Sequence, residues 1–336
     1  MLNRAEINLN NLRYNAKEIK KLVGDTKFCA VVKADAYGHG ASEVANELHS
    51  IVDSFAVALV EEGVSLRLSG VKKDILVLIP PFKEDLERAV RHKLTLTIAE
   101  LNGAKSINRE AKSQGVKVKV HIKVNTGMNR QGVDSIEELD KICSYISSSK
   151  NLILDGVYSH FARPENKKSR NSQVDKFLLA INCVKGYNNK VITHISASGG
   201  LLAGVKLDMV RVGIMLYGYT PYPTDKIRLK PIMKITAPVL KTRTLESCDT
   251  ALYGDKKVRC AGDYSLIRYG YADGLARRGG LFQHGNRCMD LTLVKSNGNK
   301  NFVVLDDANI LAKEYKTISY EILCSAPVRA ERRYRR

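Results

Sequence analysis

No segment of this 336-residue sequence is a candidate membrane span. Crossing a bilayer takes ~20 consecutive apolar residues, and no apolar run here approaches that length. The first residues, 1–6, also lack the apolar stretch of a secretory signal. The composition, 44% hydrophobic and 26% charged, is typical of globular rather than disordered proteins. We therefore expect a soluble, cytoplasmic protein without a membrane partner.

Cysteine is scarce and irregularly placed. The seven cysteines are odd in number, and no two of them have CxxC spacing. This pattern argues against a disulfide framework and against a zinc site. We expect reduced thiols and no bound metal. The cysteines are Cys29, Cys143, Cys183, Cys248, Cys260, Cys288 and Cys324.

Acidic residues are in deficit, since 54 lysines and arginines face 35 acidic residues and give a formal charge of +19. Such a charge is compatible with a nucleic-acid or anionic-membrane partner. The sequence has no RNP, zinc-finger or helix-turn-helix signature, however, and dense basic spots occur only at 167–170 and 329–336. A solvated basic surface is the simpler interpretation, and no nucleic-acid partner is expected. The basic tail, 332–336, is expected to be exposed and frayed.

Short apolar, β-branched runs alternate with amphipathic segments as far as about residue 217. The runs are typical of buried parallel strands, and the segments between them have helical periodicity. Eight such strands predict an α/β fold, a (β/α)₈ TIM-like barrel over residues 1–225. A doubly wound sheet is the competitor, but eight strands favour closure. The predicted strands are 28–32, 55–60, 75–79, 94–98, 116–124, 152–159, 191–195 and 209–215, and the predicted helices are 9–20, 42–50, 61–68, 84–92, 99–114, 136–148 and 173–185.

The pattern changes after Pro221 and Pro223. Residues 230–305 have short alternating apolar runs separated by turn residues, without long helical segments between them. We therefore predict a second, mostly β domain over residues 226–336. Residues 4–8 alternate enough to be a strand that joins this β domain.

A barrel places its active site at the carboxyl ends of its strands and in the loops that follow. Lys33 directly follows the first predicted strand of the barrel, and the loop after it contains Tyr37, Gly38 and Gly40. The low-dielectric mouth of a barrel would favour the neutral amine of Lys33 and therefore Schiff-base chemistry. Tyr37 could bond a phosphate, and the two glycines let the backbone approach a ligand. A lysine that merely ends a strand at the surface is the alternative.

Further motifs follow Lys33 in a fixed order. They are 32–40 (VKADAYGHG), 121–130 (HIKVNTGMNR), 159–161 (SHF), 210–214 (VRVGI), 269–274 (YGYADG), 287–290 (RCMD) and 317–322 (TISYEI). In this order they resemble the motifs of the bacterial alanine racemases, and the resemblance spans essentially the whole chain. It implies a pyridoxal 5'-phosphate (PLP) isomerase of fold type III. Such an enzyme interconverts L- and D-alanine and supplies D-alanine for cell-wall peptidoglycan.

The resemblance also implies a two-base mechanism. Lys33 carries the cofactor and, once released from it, acts as the base on one face of the substrate, while Tyr253 acts on the other face. Family members are head-to-tail dimers in which this tyrosine reaches the active site of the opposite subunit, together with the residues matching Met289 and Asp290. Tyr271 resembles the tyrosine that lines the substrate corridor. A homodimer with shared active sites, acting on a small amino acid, is therefore implied.

A second lysine belongs to the implied site. In the predicted strand 116–124 apolar residues alternate with three lysines and His121, and the polar set should face the barrel interior. By resemblance, Lys123 is the lysine often carbamylated in this family, and its carbamate would pair with Arg130. Arg130 would in turn contact the cofactor phenolate and the substrate carboxylate. A solvated lysine at the strand edge is the alternative for Lys123.

The remaining cofactor contacts also rest on the resemblance. Arg211 is the implied partner of the pyridine nitrogen and is oriented by His160. An aspartate there would keep the ring protonated and suit transamination, whereas an arginine leaves the nitrogen unprotonated and favours prompt reprotonation at Cα. The residues expected to hold the phosphate are Tyr37, Ser198, Gly213 and Ile214.

Several positions depart from the family pattern near the substrate. The family has a tyrosine just before its C-terminal Arg-x-Pro-Arg, where it packs at the substrate side chain and helps to hold the phosphate, and Val328 stands there in this chain. Ala197 replaces a common asparagine, and Asn125 replaces a common aspartate. We therefore expect a larger pocket, so serine or a broader set of amino acids is an alternative to alanine as the substrate.

Two functions of other classes compete with racemisation. A non-catalytic PLP-binding homeostasis protein has the same barrel but ends after it, so the β domain with Tyr253 argues against this alternative. A nucleic-acid binder would use the positive charge and would bind no PLP. Decarboxylases with the same barrel use other lysine and arginine motifs.

Overall fold

The computed structural model describes residues 2–254, 257–279 and 284–336. The strands within these residues are β1 (Arg4–Asn8), β2 (Lys27–Val31), β3 (Ser54–Val57), β4 (Ile75–Val77), β5 (Thr95–Ile98), β6 (Val118–Lys123), β7 (Leu152–Tyr158), β8 (Ile192–His194), β9 (Met209–Val212), β10 (Met233–Leu245), β11 (Gly262–Ile267), β12 (Thr292–Lys295), β13 (Asn301–Leu305) and β14 (Glu331–Arg335). The α-helices are α1 (Leu9–Val23), α2 (Lys33–Tyr37), α3 (Ala41–Leu48), α4 (Val60–Leu68), α5 (Leu86–Arg91), α6 (Leu101–Ser113), α7 (Ile136–Ser148), α8 (Lys167–Lys185), α9 (Ser198–Leu202), α10 (Ala308–Tyr315) and α11 (Ser319–Ser325).

Strands β2 to β9 form one parallel sheet in the order β8-β7-β6-β5-β4-β3-β2-β9, which curves into a near-barrel. The seam lies between β8 and β9, where the backbone N–H of Arg211 donates to the carbonyl of Ser196 at 3.0 Å. Strands such as β5 are buried along their whole length, as expected when helices cover the outside of a parallel sheet. The predicted TIM-like barrel is confirmed.

Helix boundaries follow local capping more closely than apolar periodicity. The Ser135 side chain caps α7 by accepting a hydrogen bond from the N–H of Glu138. Two glutamates in the first turn of α7 interact favourably with the positive end of the helix dipole. Helix α8 begins at Lys167, earlier than the predicted start at residue 173, because Asn166 caps a first turn that is entirely polar. An apolar pattern cannot reveal such a turn.

The second sheet has the order β12-β11-β10-β1-β14, with β13 also paired to β10. Strand β1 is antiparallel to β10 and parallel to β14, so residues from both ends of the chain lie side by side. Most of the buried apolar residues form one core that continues from the barrel into this sheet. A smaller cluster is formed by Ala251, Val258, Tyr264 and Leu293.

The C-terminal tail contradicts the sequence prediction. It was expected to be frayed, but Glu331–Arg335 forms β14 and pairs in parallel with β1. Its charges are compensated by ion pairs: Arg335 lies 2.7 Å from Glu6, and Arg336 lies 3.3 Å from Glu47. Partners from the opposite end of the chain therefore order a segment that is too basic to pack by its own local preference.

Two further observations concern the expected environment. Within the described part of the chain, no helix is both long enough and apolar enough to traverse a bilayer. The seven cysteines are free thiols, of which Cys29 and Cys143 are buried.

Candidate active site

The parallel strands bring the sequence-predicted lysines and arginines to one mouth of the barrel. Lys33 begins the segment after β2, Lys123 ends β6, His160 follows β7, and Arg211 lies within β9. Because the carboxyl ends of parallel barrel strands share one face, these side chains converge there.

The segment after Lys33 has an unusual backbone. Four consecutive residues, Ala34 to Tyr37, have φ between 51° and 54°, so α2 is a left-handed turn. Residues with a Cβ pay roughly 1–2 kcal/mol each in this conformation, and such strain persists only where the surrounding structure enforces it. Two glycines follow at φ 82° and 93°, where positive φ is cheap. The left-handed conformation therefore begins immediately after the lysine.

Tyr37 and its neighbours form a cradle of hydrogen-bond donors. A Cβ added at Gly213 would lie 2.5 Å from the Tyr37 hydroxyl, so only a glycine permits this approach. The Gly213 N–H lies 3.4 Å from the Ser198 hydroxyl. Burial raises the pKa of Tyr37, which keeps the phenol protonated and able to donate. Neutral donors on convergent backbone and side chains suit a phosphate.

Lys123 is 5% exposed, and its ammonium donates to the side-chain carbonyl of Gln131 at 2.9 Å. Burial, followed by the charges of Arg130, Arg211 and Lys33, lowers the pKa of Lys123 to about 7. The groups that perturb Lys123 are therefore all cations. This concentration of positive charge calls for an anionic ligand or for modification of the lysine.

The polar residues of β6 are buried only in the carboxyl half of the strand. His121 and Lys123 are buried as predicted, but Lys119 is partly exposed and pairs with Asp74 at 2.7 Å. Lys117 precedes the strand and is exposed. The amino end of β6 lies at the open bottom of the barrel, where solvent reaches the lysines.

Arg211 is 3% exposed and is held mainly by acceptors at the end of β8. Its guanidinium donates to Nδ1 of His194 at 2.5 Å and to the backbone carbonyl of Ser159 at 2.8 Å. His160 also contacts Arg211, at 3.3 Å through Nδ1. His194, which the sequence did not single out, is therefore the closer partner, and its ring stacks on Tyr158 at 4.8 Å.

The hydrogen bonds behind Arg211 run in a single direction. Because a guanidinium only donates, Nδ1 of His194 accepts, and a neutral His194 carries its proton on Nε2. That nitrogen lies 2.8 Å from Nδ1 of His121, and Nε2 of His121 lies 3.1 Å from the Asp155 carboxylate. Burial, followed by the charge of Arg211, lowers the pKa of His194 well below its ordinary value, so the ring stays neutral. The chain therefore connects Arg211 to the Asp155 carboxylate.

His160 is neutral for the same physical reasons. Burial, and then the charges of Arg211 and Arg130, lower the pKa of His160 to about 3.

Arg130 itself is exposed on the loop after β6. The side chain of Asn125 shapes that loop, since its carbonyl accepts from the N–H groups of Gly127 and Asn129 at 3.1 and 3.0 Å.

A second group of predicted site residues lies on the surface of the β domain. Tyr253 is 62% exposed, Met289 is 55% exposed and Tyr271 is 37% exposed. Hydrogen bonds to backbone carbonyls join their segments: the side-chain amide of Asn286 donates to Tyr253, and the backbone N–H of Tyr271 donates to Cys288, both at 3.0 Å. Asp290 belongs to the same surface and pairs with Arg329 at 2.8 Å. These residues leave aromatic and apolar groups exposed on the surface of the β domain.

Val328, at the position of the expected tyrosine, is 65% exposed in the single chain. Another tyrosine, Tyr320 on α11, lies beside Tyr37, with ring centroids 6.0 Å apart, and burial raises the pKa of Tyr320 to about 12. The motif 317–322 contained this residue, but nothing local in the sequence indicated that it faced the site.

Comparisons with known proteins agree over the whole chain. The family described as "Alanine racemase, N-terminal domain" matches residues 7–221, and "Alanine racemase, C-terminal domain" matches residues 232–334. The curated "Alanine racemase 1" of Caldanaerobacter subterraneus is 36% identical, covering 82% of this chain and 74% of that protein.

Solved structures give the same result. An alanine racemase from Clostridium difficile superposes with a TM-score of 0.94 at 33% identity, covering 100% of this chain and 96% of that chain. A complex of that enzyme with cycloserine has a TM-score of 0.88 at 32% identity, covering 99% of this chain and 96% of that chain. The two matched domains, the similarity to curated alanine racemases and the (β/α)₈ fold together place this chain in the alanine racemase family.

Proposed function

We propose that this protein is a PLP-dependent racemase that interconverts L- and D-alanine. The observation that carries the proposal is the position of Lys33. It lies at the mouth of the barrel, next to the phosphate-type cradle, and is close enough to Lys123 and His160 to lower the pKa of both. The family membership and this cluster of cations around one lysine support the same conclusion.

The residues present fit the cofactor. Its phosphate would be held by the hydroxyls of Tyr37 and Ser198 and by the N–H groups of Gly213 and Ile214. Gly213 suits this role because a side chain there would collide with the Tyr37 hydroxyl. The anionic phosphate and phenolate would offset the positive charge gathered at this mouth of the barrel, including that of Arg130. When bound, PLP withdraws electrons from the substrate and so acidifies its Cα–H bond.

Arg211 would donate a hydrogen bond to the pyridine nitrogen and leave it unprotonated. A guanidinium does not give up its proton, unlike the carboxylic acid of a transaminase site. The neutral His194 behind it holds the guanidinium in place through Nδ1. This arrangement limits how far negative charge spreads from Cα, and so favours return of a proton to that carbon.

Racemisation needs a proton acceptor and donor on each face of Cα. We assign one face to the amine of Lys33 and the other to the phenol of Tyr253 of the partner subunit. Tyr253 is 62% exposed and shares its surface with Met289 and Tyr271, as expected of residues that are completed by a second copy. Arg130, Met289 and Asp290 would bind the substrate at this junction, and Tyr271 would line its entrance.

Lys123 would act as a carbamate. Its neutral Nζ would attack the carbon of CO₂ and lose a proton, which leaves an anionic N-carboxylate facing Arg130. The neutral amine is populated above its pKa of about 7, so carbamylation is favoured at pH 8 and lost below pH 6. The carbamate would convert a repulsive pair of cations into an attractive ion pair.

We expect racemase activity at pH 8 to rise several-fold when bicarbonate is added to CO₂-depleted enzyme. The Lys123→Ala variant should not respond. A carbamate resonance from ¹³C-bicarbonate, present in the wild type and missing from Lys123→Ala, would assign the site directly. A wild-type enzyme that neither responds to bicarbonate nor gives this resonance would rule out carbamylation.

Substrate choice is expected to depend on position 328, where the family has a tyrosine beside the substrate side chain. Val328 is 65% exposed in the single chain, much like Tyr253 and Met289 of the proposed shared site. Val328→Tyr should lower the ratio of serine to alanine kcat/KM by about tenfold, because the larger ring narrows the pocket toward alanine. Kinetics with both amino acids would test this. An unchanged ratio would count against the assignment of position 328 to the pocket.

The proposed cellular role is the supply of D-alanine for peptidoglycan in the cytoplasm. The decisive experiment incubates PLP-loaded protein with L-alanine and, separately, L-serine, and follows the D-enantiomer by chiral chromatography. Formation of D-alanine supports the proposal, and faster formation of D-serine would favour a serine or broad-specificity racemase. Bound PLP with no product from any small amino acid would indicate a non-catalytic PLP-binding protein.

A further inference from the structure

The left-handed turn after Lys33 is gripped by the last strand of the chain. Arg332 donates from Nε to the carbonyl of Gly38 at 2.8 Å, and its terminal nitrogen lies 2.7 Å from the Asp35 carboxylate. The Tyr334 hydroxyl donates to the carbonyl of His39 at 3.2 Å. Two side chains of β14 thus contact both ends of the turn.

The register of β14 explains why these two side chains point to the turn. Parallel pairing with β1 sets Arg332 opposite Ala5 and Tyr334 opposite Ile7. Alternate residues of a strand share a face, so Arg332 and Tyr334 project together. Arg333 projects to the other face and pairs with Glu331 at 3.1 Å.

Two kinds of hydrogen bond hold the turn: bonds within it, and bonds to other parts of the protein. The N–H groups of Gly38 and Gly40 donate to the carbonyls of Ala34 and Asp35, both at 2.9 Å. On the other side, the Ala34 N–H donates to the carboxylate of Glu62 at 2.6 Å. Four consecutive residues in a disfavoured conformation persist only where external contacts of this kind hold them. If the turn relaxed, the adjacent lysine would move.

The backbone of the turn also packs closely against the C-terminal segment. A Cβ at Gly38 would lie 2.4 Å from the carbonyl oxygen of Leu323, and a Cβ at Gly40 would lie 2.0 Å from the Tyr334 hydroxyl. The C-terminal segment is therefore in direct contact with the backbone of the turn on both sides of His39. No side chain can be accommodated between them.

We propose that Arg332 is a positioning residue for Lys33, and that β14 acts as a clamp which keeps the left-handed turn closed from the β domain. Arg332 bridges the Asp35 carboxylate and the Gly38 carbonyl, which are groups at opposite ends of the turn. Asp35 in turn accepts from the N–H of Ala41 at 2.7 Å and so ties the clamp to α3. The inference that this matters for catalysis rests on the proposed function of Lys33, whereas the clamp itself does not.

Hydrogen exchange of the holoenzyme tests the clamp without reference to activity. The amides of Gly38 and Gly40 are bonded within the turn, so their exchange reports its opening. We expect Arg332→Met to accelerate exchange in residues 33–41 by about tenfold or more, with little change in β6. Arg332→Lys keeps the charge but loses the forked geometry, so its exchange rate in residues 33–41 should lie between those of Arg332→Met and the wild type. Arg333→Met, on the opposite face of the same strand, is the matched control and should match the wild type.

The same variants separate positioning from general stability. Arg332→Met should lower kcat more than it raises KM, and Arg332→Lys should recover part of kcat, while exchange in β1 stays protected. Arg332→Met could release β14 from the sheet altogether. Asp35→Asn weakens the same ion pair from the side of the turn and leaves β14 docked. It should accelerate exchange in the turn in the same way. Unchanged exchange at Gly38 and Gly40 in both variants would overturn the clamp. A wild-type protein without racemase activity would overturn the proposed function and leave this exchange result decisive for the clamp.

Discussion

Lys33→Ala is expected to abolish the visible absorbance of lysine-bound PLP and to lower racemisation by roughly 10³-fold or more. The variant loses both the amine that holds the cofactor covalently and the proton carrier on one face of the substrate. The cradle of Tyr37, Ser198 and Gly213 remains, so PLP should still bind, but more weakly and reversibly. Absorbance spectra before and after dialysis, together with the D-alanine assay, measure both effects.

Lys27→Ala is the matched control for this variant. Lys27 lies on the same strand, β2, but at its amino end, where it is exposed. Both its cofactor spectrum and its activity should match the wild type. A Lys33→Ala protein that still forms a borohydride-reducible bond with PLP would show that another lysine carries the cofactor. Lys123 would then be the next candidate, because burial and the neighbouring cations lower its pKa to about 7 and so populate its neutral amine.

Tyr253→Phe is expected to lower racemisation by about 10²–10⁴-fold while leaving the PLP absorbance intact. The substitution removes only the hydroxyl, from a ring that is 62% exposed in the single chain, so folding should be unaffected. Because Lys33 still serves one face, exchange of the α-hydrogen with D₂O should persist for one enantiomer of alanine and fall for the other. Loss of exchange for both enantiomers, or for neither, would contradict the assignment of one base to each face.

Mixing the two inactive variants tests whether the active site is shared between subunits. In a heterodimer of Lys33→Ala and Tyr253→Phe, one site has both substitutions and the other has neither. Random exchange of subunits makes half of the dimers mixed, so about one quarter of wild-type activity should return. A mixture of Lys33→Ala with wild-type-like Lys27→Ala should keep about one half of wild-type activity, which checks that a Lys33→Ala subunit does not inactivate its partner. No recovery in a mixture that demonstrably contains heterodimers would place both bases in the same chain.

Much of the barrel could be predicted from the sequence because its signals are local. All seven predicted helices, 9–20 through 173–185, have counterparts in α1 and α3–α8, and each predicted barrel strand overlaps one of β2–β9. Period-2 and period-3.6 apolar patterns record which face of an element is buried, and they do so within a few residues of chain. The strand ends were predicted less well: the last predicted strand continued to residue 215, whereas β9 ends at Val212.

The candidate site divides along the same line. Lys33, Lys123 and Arg211 could be located from their places at the ends of apolar runs and from the motifs around them. The partners that set their chemistry could not, because no local pattern shows which side chains the fold brings into contact with them. His194 binds Arg211 through a contact between two strands, and Gln131 contacts Lys123 from the loop after β6. Tyr320 reaches Tyr37 only because α11 packs against the turn.

By itself, therefore, the sequence determined the elements, their alternation and the residues with reactive side chains, since these follow from side-chain chemistry and the period of burial. Only the tertiary structure decided the left-handed turn after Lys33, the ordering of the basic tail as β14 and the chain of hydrogen bonds from Arg211 to Asp155. Each of these depends on groups far apart in the chain: Arg332 stabilises a backbone conformation that residues 34–37 would not adopt alone, and β1 and Glu6 supply partners for arginines that would otherwise repel one another. Local preference is overridden where distant contacts are strong enough to compensate for it.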